Sequence, residues 1–339
     1  MAGKIHKITT MIVLSVLLSR VSFIHVLISS TVNVANLGSI STSRPNIDVD
    51  RSNLMASSHL VRQATTAILQ EDPTLAGPLL RLAFHDGATR EQLSDDLNNS
   101  LFVGGPNGSI KYEKDWMENR GISRPLQAVE EIHSNIEGLS FADCIALAGA
   151  EAVEFAGGPS IQIRLGRRDT TKADSKKRMR TLQGDTDRSL VDTTLPSAGL
   201  DSDGLRLYFG ALGLSDEQFV ALCGAHDLGR HVTLLGMPKS CLKELTRECL
   251  ETAPVLMPFV AEDPDGFSNT YFKKLIKWNQ RKVKLGEVAF IPTDVDLVVD
   301  NGLRKYVSKF AKNKAAFFSS FESAYQIIVD AGATSVGRY

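Results

Sequence analysis

Between Pro78 and His85 every side chain is apolar except Arg81 and His85. If this run is helical, the four-residue spacing places both on one face. A helix that is apolar elsewhere packs into a core, so the fold must bury a cation and an imidazole together and supply them with partners. Such a pair can serve chemistry, with His85 moving a proton and Arg81 stabilising a charge that develops nearby. The plain alternative is an arginine that reaches solvent beside a satisfied core histidine. This segment alone does not separate the two.

A second apolar run, Val220 to His226, also ends on a histidine. Ser215 and Gln218 form a capping-box pattern ahead of it, which fixes a helix start. His226 is a candidate axial ligand for haem iron, a common role of neutral imidazole. An imidazole ligand usually donates its other ring nitrogen to a carboxylate, and Asp294 in the segment from Phe290 to Leu297 is a candidate.

Taken in order, the motifs resemble the plant, fungal and bacterial haem peroxidase superfamily, and most closely its intracellular branch, which includes the ascorbate peroxidases. Arg81 to His85 resembles the distal Arg-x-x-aromatic-His motif, and residues 104–110 resemble the loop that follows it. Asn119 falls where the family has an asparagine bonded to the distal histidine. Residues 141–149 and 157–169 match the central helix and its exit, and Leu222 to His226 match the proximal histidine motif. Residues 267–272 and 292–296 match the region leading to the proximal aspartate. The resemblance covers residues 55–335.

It implies a mostly α haem peroxidase fold, in which a distal half (55–170) and a proximal half (195–335) enclose one haem b. Arg81, Phe84, His85 and Asn119 become the distal catalytic group, and His226, Asp294 and Phe259 the haem-binding group. The implied substrates are hydrogen peroxide and a small organic electron donor. The alternative is a peroxidase-like haem protein that has lost turnover and serves a structural or sensing role.

Departures from the family bear on the donor. Phe84 stands where ascorbate peroxidases have tryptophan. Phe259 stands where the intracellular branch commonly has a tryptophan able to carry a radical. Leu235 and Pro73 occupy the positions of the ascorbate-contacting arginine and lysine. Ascorbate would therefore lack its cationic partners, and a phenolic donor is expected instead. Asp86, Gly105, Asn107 and Ser109 resemble the distal calcium ligands of the secreted and fungal branches, an oxygen-rich set suited to a hard cation. A hydrogen bond at the helix end is the simpler role for Asp86. On the proximal side, Ser268 and Asp227 stand where relatives have an aspartate and a threonine beside a cation.

Residues 1–34 read as a signal or targeting segment, with Lys4 and Lys7 ahead of an apolar run that Arg20 and His25 interrupt. Residues 35–54 read as a Ser/Thr-rich linker or transit segment. Together they predict a plastid or secretory destination with no stable membrane span. The four cysteines lack a CxxC pair, so a zinc site is not expected. Cys144 and Cys223 sit in apolar patterns as buried thiols, whereas Cys241 and Cys249 could pair in an oxidising compartment. Asn98 and Asn107 are sequons. A net charge of −1 gives no basic footprint for nucleic acid.

Expected helices span 55–71, 76–87, 123–136, 141–156, 202–212, 216–225, 268–278 and 303–331. Ser160 to Leu165 reads as a short strand. Residues 170–195 and 233–266 read as loops.

Overall fold

A computed structural model describes residues 47–89, 91–92, 102–174, 195–196, 199–233, 255–284, 287–335 and 337–339. In chain order the helices are α1 (Ile47–Glu71), α2 (Ala76–Ala88), α3 (Ser123–Asn135), α4 (Phe141–Phe155), α5 (Ser202–Ala211), α6 (Asp216–Cys223), α7 (Thr270–Asn279), α8 (Pro292–Val299), α9 (Asn301–Lys312) and α10 (Lys314–Val329). Two short antiparallel ladders accompany them. The first pairs β1 (Glu91–Gln92) with β2 (Phe102–Val103), and the second pairs β3 (Arg230–Thr233) with β4 (Val255–Pro258). The fold is mostly α, as the sequence predicts.

Local chemistry sets several of these ends. The Ser140 side chain caps α4 by accepting from the Asp143 backbone, and Ser215 with Gln218 makes the expected capping box on α6. Asp201 and Asp300 cap α5 and α9 in the same way. The core centres on α4, whose residues from Phe141 to Ala150 are all buried. Small residues there let other helices approach. A Cβ on Gly149 would collide with Ala83 on α2 and with the Tyr325 hydroxyl on α10. Residues 51–339 form one compact unit, so α2, which carries Arg81 and His85, shares a core with α6, α7 and α10.

Five expectations need correction. α1 begins at Ile47 rather than at residue 55. The long C-terminal helix is two helices, because Asn313 leaves helical geometry (φ −132°, ψ 96°) and caps α10 through its side chain. Residues 292–299, predicted only as a motif, form a helix started by Pro292. Within the expected loop 233–266, residues 255–258 are a strand. Ser160 to Leu165 is not a ladder strand, although Ile163 exchanges both backbone hydrogen bonds with Tyr339.

Among the described residues no helix is long and apolar enough to cross a membrane. The expected targeting segment, Asn98, Leu235, Cys241 and Cys249 lie outside the described residues. Cys144 is buried, while Cys223 is half-buried rather than fully so, and both are free thiols.

Candidate active site

α2 and the short 3₁₀ turn Met117–Asn119 build the distal side together. The Asn119 amide nitrogen donates to the Glu113 carbonyl (3.0 Å), so its Oδ1 is left to accept. That oxygen lies 2.7 Å from His85 Nδ1. Nδ1 must therefore carry the proton, which leaves Nε2 as a free base. Burial and the neighbouring Arg81 hold the His85 imidazole well below its ordinary pKa, so the ring is neutral at pH 7.

Arg81 is clamped by the same turn. Its Nη2 donates to the Glu118 carbonyl (2.7 Å) and its Nη1 to the Arg120 carbonyl (3.0 Å). The two carbonyls flank Asn119, so one turn orients base and cation alike. Burial, with help from the Arg120 guanidinium, lowers the Arg81 pKa to about 10, and the group stays charged at neutral pH. Phe84 is half-buried and meets His85 edge-on, ring centroids 6.1 Å apart.

On the proximal side His226 lies in the 3₁₀ turn Gly224–Leu228, just past α6 rather than on it. Gly224 permits that turn, since a Cβ there would strike the rings of Phe317 and Phe272. His226 Nδ1 lies 2.7 Å from Asp294 Oδ1 on α8. The β3–β4 ladder returns the chain so that Phe259 stacks on His226, with centroids 3.9 Å apart and planes 4° off parallel. Asp294 is buried and takes two further donors, the Tyr271 hydroxyl on Oδ1 (2.6 Å) and the Ile291 backbone N–H on Oδ2 (3.0 Å). Three donors compensate the cost of burying a carboxylate. Tyr271 went unread in the sequence. The available signal was a phenol in an apolar helix pattern, which needs an acceptor when buried.

The expected cation ligands are otherwise engaged. Asp86 accepts from the backbone of Gly108 (3.1 Å) and Ile110 (3.5 Å), and burial raises its pKa to about 7. Gly105 lies against the Asp86 backbone carbonyl, where a Cβ would not fit. Asn107 and Ser109 both donate to Asp174. Asp227 accepts from the Ser268 backbone (2.6 Å) and hydroxyl (2.9 Å) and from the Tyr271 backbone (2.6 Å), so it ties down the start of α7. Among the described residues no group of three His, Cys, Asp or Glu could hold a metal ion.

The residues fit a haem. The His226 ring is gripped at Nδ1 and on its face, yet 30 % of the side chain stays exposed. Arg81 and Phe84 are likewise only half-buried, although Leu80, Leu82, Ala83 and His85 beside them are buried. An imidazole oriented by a carboxylate, with its second nitrogen open, is the donor set of a histidine-ligated haem. Fold and site thus define a mostly α protein that sets a carboxylate-oriented histidine apart from a second histidine paired with a half-buried arginine.

The family model described as Peroxidase matches residues 61–313, and the chain belongs to the peroxidase family. "Putative L-ascorbate peroxidase 6" of Arabidopsis thaliana is 31% identical over 76% of this chain, which spans 64% of that relative's length. "L-ascorbate peroxidase 1, cytosolic" of Oryza sativa subsp. japonica is 31% identical over 80% of this chain and 91% of its own. "Cytochrome c peroxidase, mitochondrial" of Emericella nidulans is 29% identical over 77% of this chain and 66% of its own.

Proposed function

We propose that this chain is a haem b-dependent peroxidase, which reduces hydrogen peroxide to water while a small organic donor is oxidised in one-electron steps. The observation that carries this reading is the orientation of His85 by Asn119, with Arg81 fixed by the carbonyls on either side of that asparagine. The chemistry asked of bound haem is a two-electron oxidation by peroxide, followed by return in two one-electron steps.

The chain's own residues supply the proton path. His85 Nε2 takes the proton from one peroxide oxygen and delivers it to the other, which leaves as water. The Arg81 guanidinium stabilises the negative charge on the departing oxygen as the O–O bond breaks. Two donor molecules then give one electron each, and two protons complete the second water. His226 would hold the haem iron, with Asp294 fixing the tautomer of its imidazole.

The relatives' names include ascorbate peroxidases, but we read the donor here as a small neutral phenol. Pro73 opens the 3₁₀ turn Pro73–Leu75, so that position offers no cation to an ionised ascorbate, and Leu235 offers none by its chemistry. Calcium is left out of the proposal, because the backbone, Asp174 and one another already engage its candidate ligands. Residues 1–34 serve as a targeting segment for an organelle or the secretory pathway, which a fluorescent fusion of those residues would test.

Absorption spectra of the haem-reconstituted protein, taken before and after one equivalent of peroxide, test the assignment. The expected result is a prompt spectral change that a phenolic donor reverses. A spectrum that peroxide leaves unchanged would reject it.

A further inference from the structure

We infer that Tyr271 is a positioning residue that sets, through Asp294, how strongly His226 donates electron density to bound haem iron. The inference rests on the haem-binding role of His226 proposed above.

Both donors fall on one oxygen. Tyr271 Oη donates to Asp294 Oδ1 at 2.6 Å, and His226 Nδ1 donates to the same atom at 2.7 Å. Oδ2 is committed to the Ile291 backbone N–H. A carboxylate oxygen that already accepts one short hydrogen bond is a poorer acceptor for the next. The Tyr271 hydroxyl therefore weakens the pull of Asp294 on the imidazole proton. His226 keeps the character of a neutral imidazole and gains less of an imidazolate.

The phenol is well held for this task. Its backbone N–H is fixed by Asp227 Oδ1 (2.6 Å), and its fully buried ring meets His226 and Phe290 edge-on, at 6.0 and 5.6 Å between centroids. Phe259, stacked on the face of His226, has no hydrogen to offer the carboxylate. Among the described residues, Tyr271 is the side chain that competes with His226 for this oxygen.

The test compares the haem-loaded full chain with its Tyr271→Phe variant. Resonance Raman spectroscopy reads the iron–histidine stretch of the ferrous protein, and a redox titration reads the ferric/ferrous midpoint. Removal of the competing donor should raise the stretching frequency and lower the midpoint potential. A merely structural role would loosen the pocket and lower the stretch, so the sign separates the two. Should the variant not fold, uniform fluorotyrosine labelling of the wild type makes the phenol a stronger donor and must shift both quantities the opposite way. An unchanged or reversed shift in haem-loaded protein overturns the inference alone. A wild type that takes up no haem overturns the haem proposal along with it.

Discussion

His85 and Asn119 meet at 2.7 Å, Nδ1 to Oδ1, and this contact decides which nitrogen of the histidine can act as a base. Because the Asn119 amide nitrogen is already engaged by the Glu113 carbonyl, the asparagine can only accept from His85. The base nitrogen is then Nε2, whichever way the pH moves within the neutral range.

The pH dependence follows from this environment. Burial and Arg81 depress the His85 pKa well below 6.5, so the base stays unprotonated well into mild acid. The rate of reaction with peroxide should be flat from pH 8 down through 6.5, and should fall only where His85 finally protonates. The sign for stability is separate. A histidine with a depressed native pKa destabilises the fold as pH drops below 6.5, because the unfolded chain takes up the proton first. Stopped-flow rates against pH check the first point. An inflection near pH 6.5 that disappears in His85→Leu would contradict it.

Replacing His226 with alanine should abolish stable haem uptake. His231 cannot take over, because its ring lies against Phe259 and its Nε2 is bonded to the Ala289 carbonyl. Haem titration followed by absorbance measures this. Normal haem content in the variant would reject His226 as the ligand.

How much of this site could be read from the chain differs by residue. Arg81 and His85 were legible because two polar groups four apart in an apolar helix leave a local mark, and Asn119, His226 and Asp294 followed from motif order. Tyr271 was not, because its acceptor lies 23 positions away and the phenol fits an apolar helix pattern as well as phenylalanine would. The helix Pro292–Val299 is too short for periodicity to show, so only Pro292 marked it. The break at Asn313 escaped because amphipathic spacing continues across it with no glycine or proline to signal a stop.

Asp86 makes a prediction of opposite sign to that for His85. Burial raises its pKa from 3.8 to about 7, so the folded state prefers it protonated. That contribution is complete below pH 3.8 and is lost as pH rises through about 7. A shift of about three pKa units corresponds to roughly 4 kcal/mol. Asp86→Asn, with no charge to bury, should therefore lose less stability than wild type between pH 5 and pH 8. Thermal melts at the two pH values, with and without millimolar calcium, test it. Strong calcium stabilisation of the wild type alone would instead make Asp86 a cation ligand.

The donor assignment predicts a higher kcat/KM for guaiacol than for ascorbate, because a neutral phenol needs access and stacking but no cation. Leu235→Arg should raise ascorbate turnover by restoring a charge at that position. Steady-state kinetics with both donors decide the matter. A wild-type preference for ascorbate that is insensitive to residue 235 would show that ascorbate binds through other groups.

The most direct test of the central claim is the stopped-flow rate of the peroxide-induced spectral change in wild type, His85→Leu and Arg81→Leu, matched for haem content. Loss of the base should slow the reaction by about 10²–10⁴-fold, and loss of the charge stabiliser by about 10²–10³-fold. The larger effect is expected for His85. Variants that react with peroxide at the wild-type rate would contradict the distal assignment and the proposed peroxidase mechanism with it.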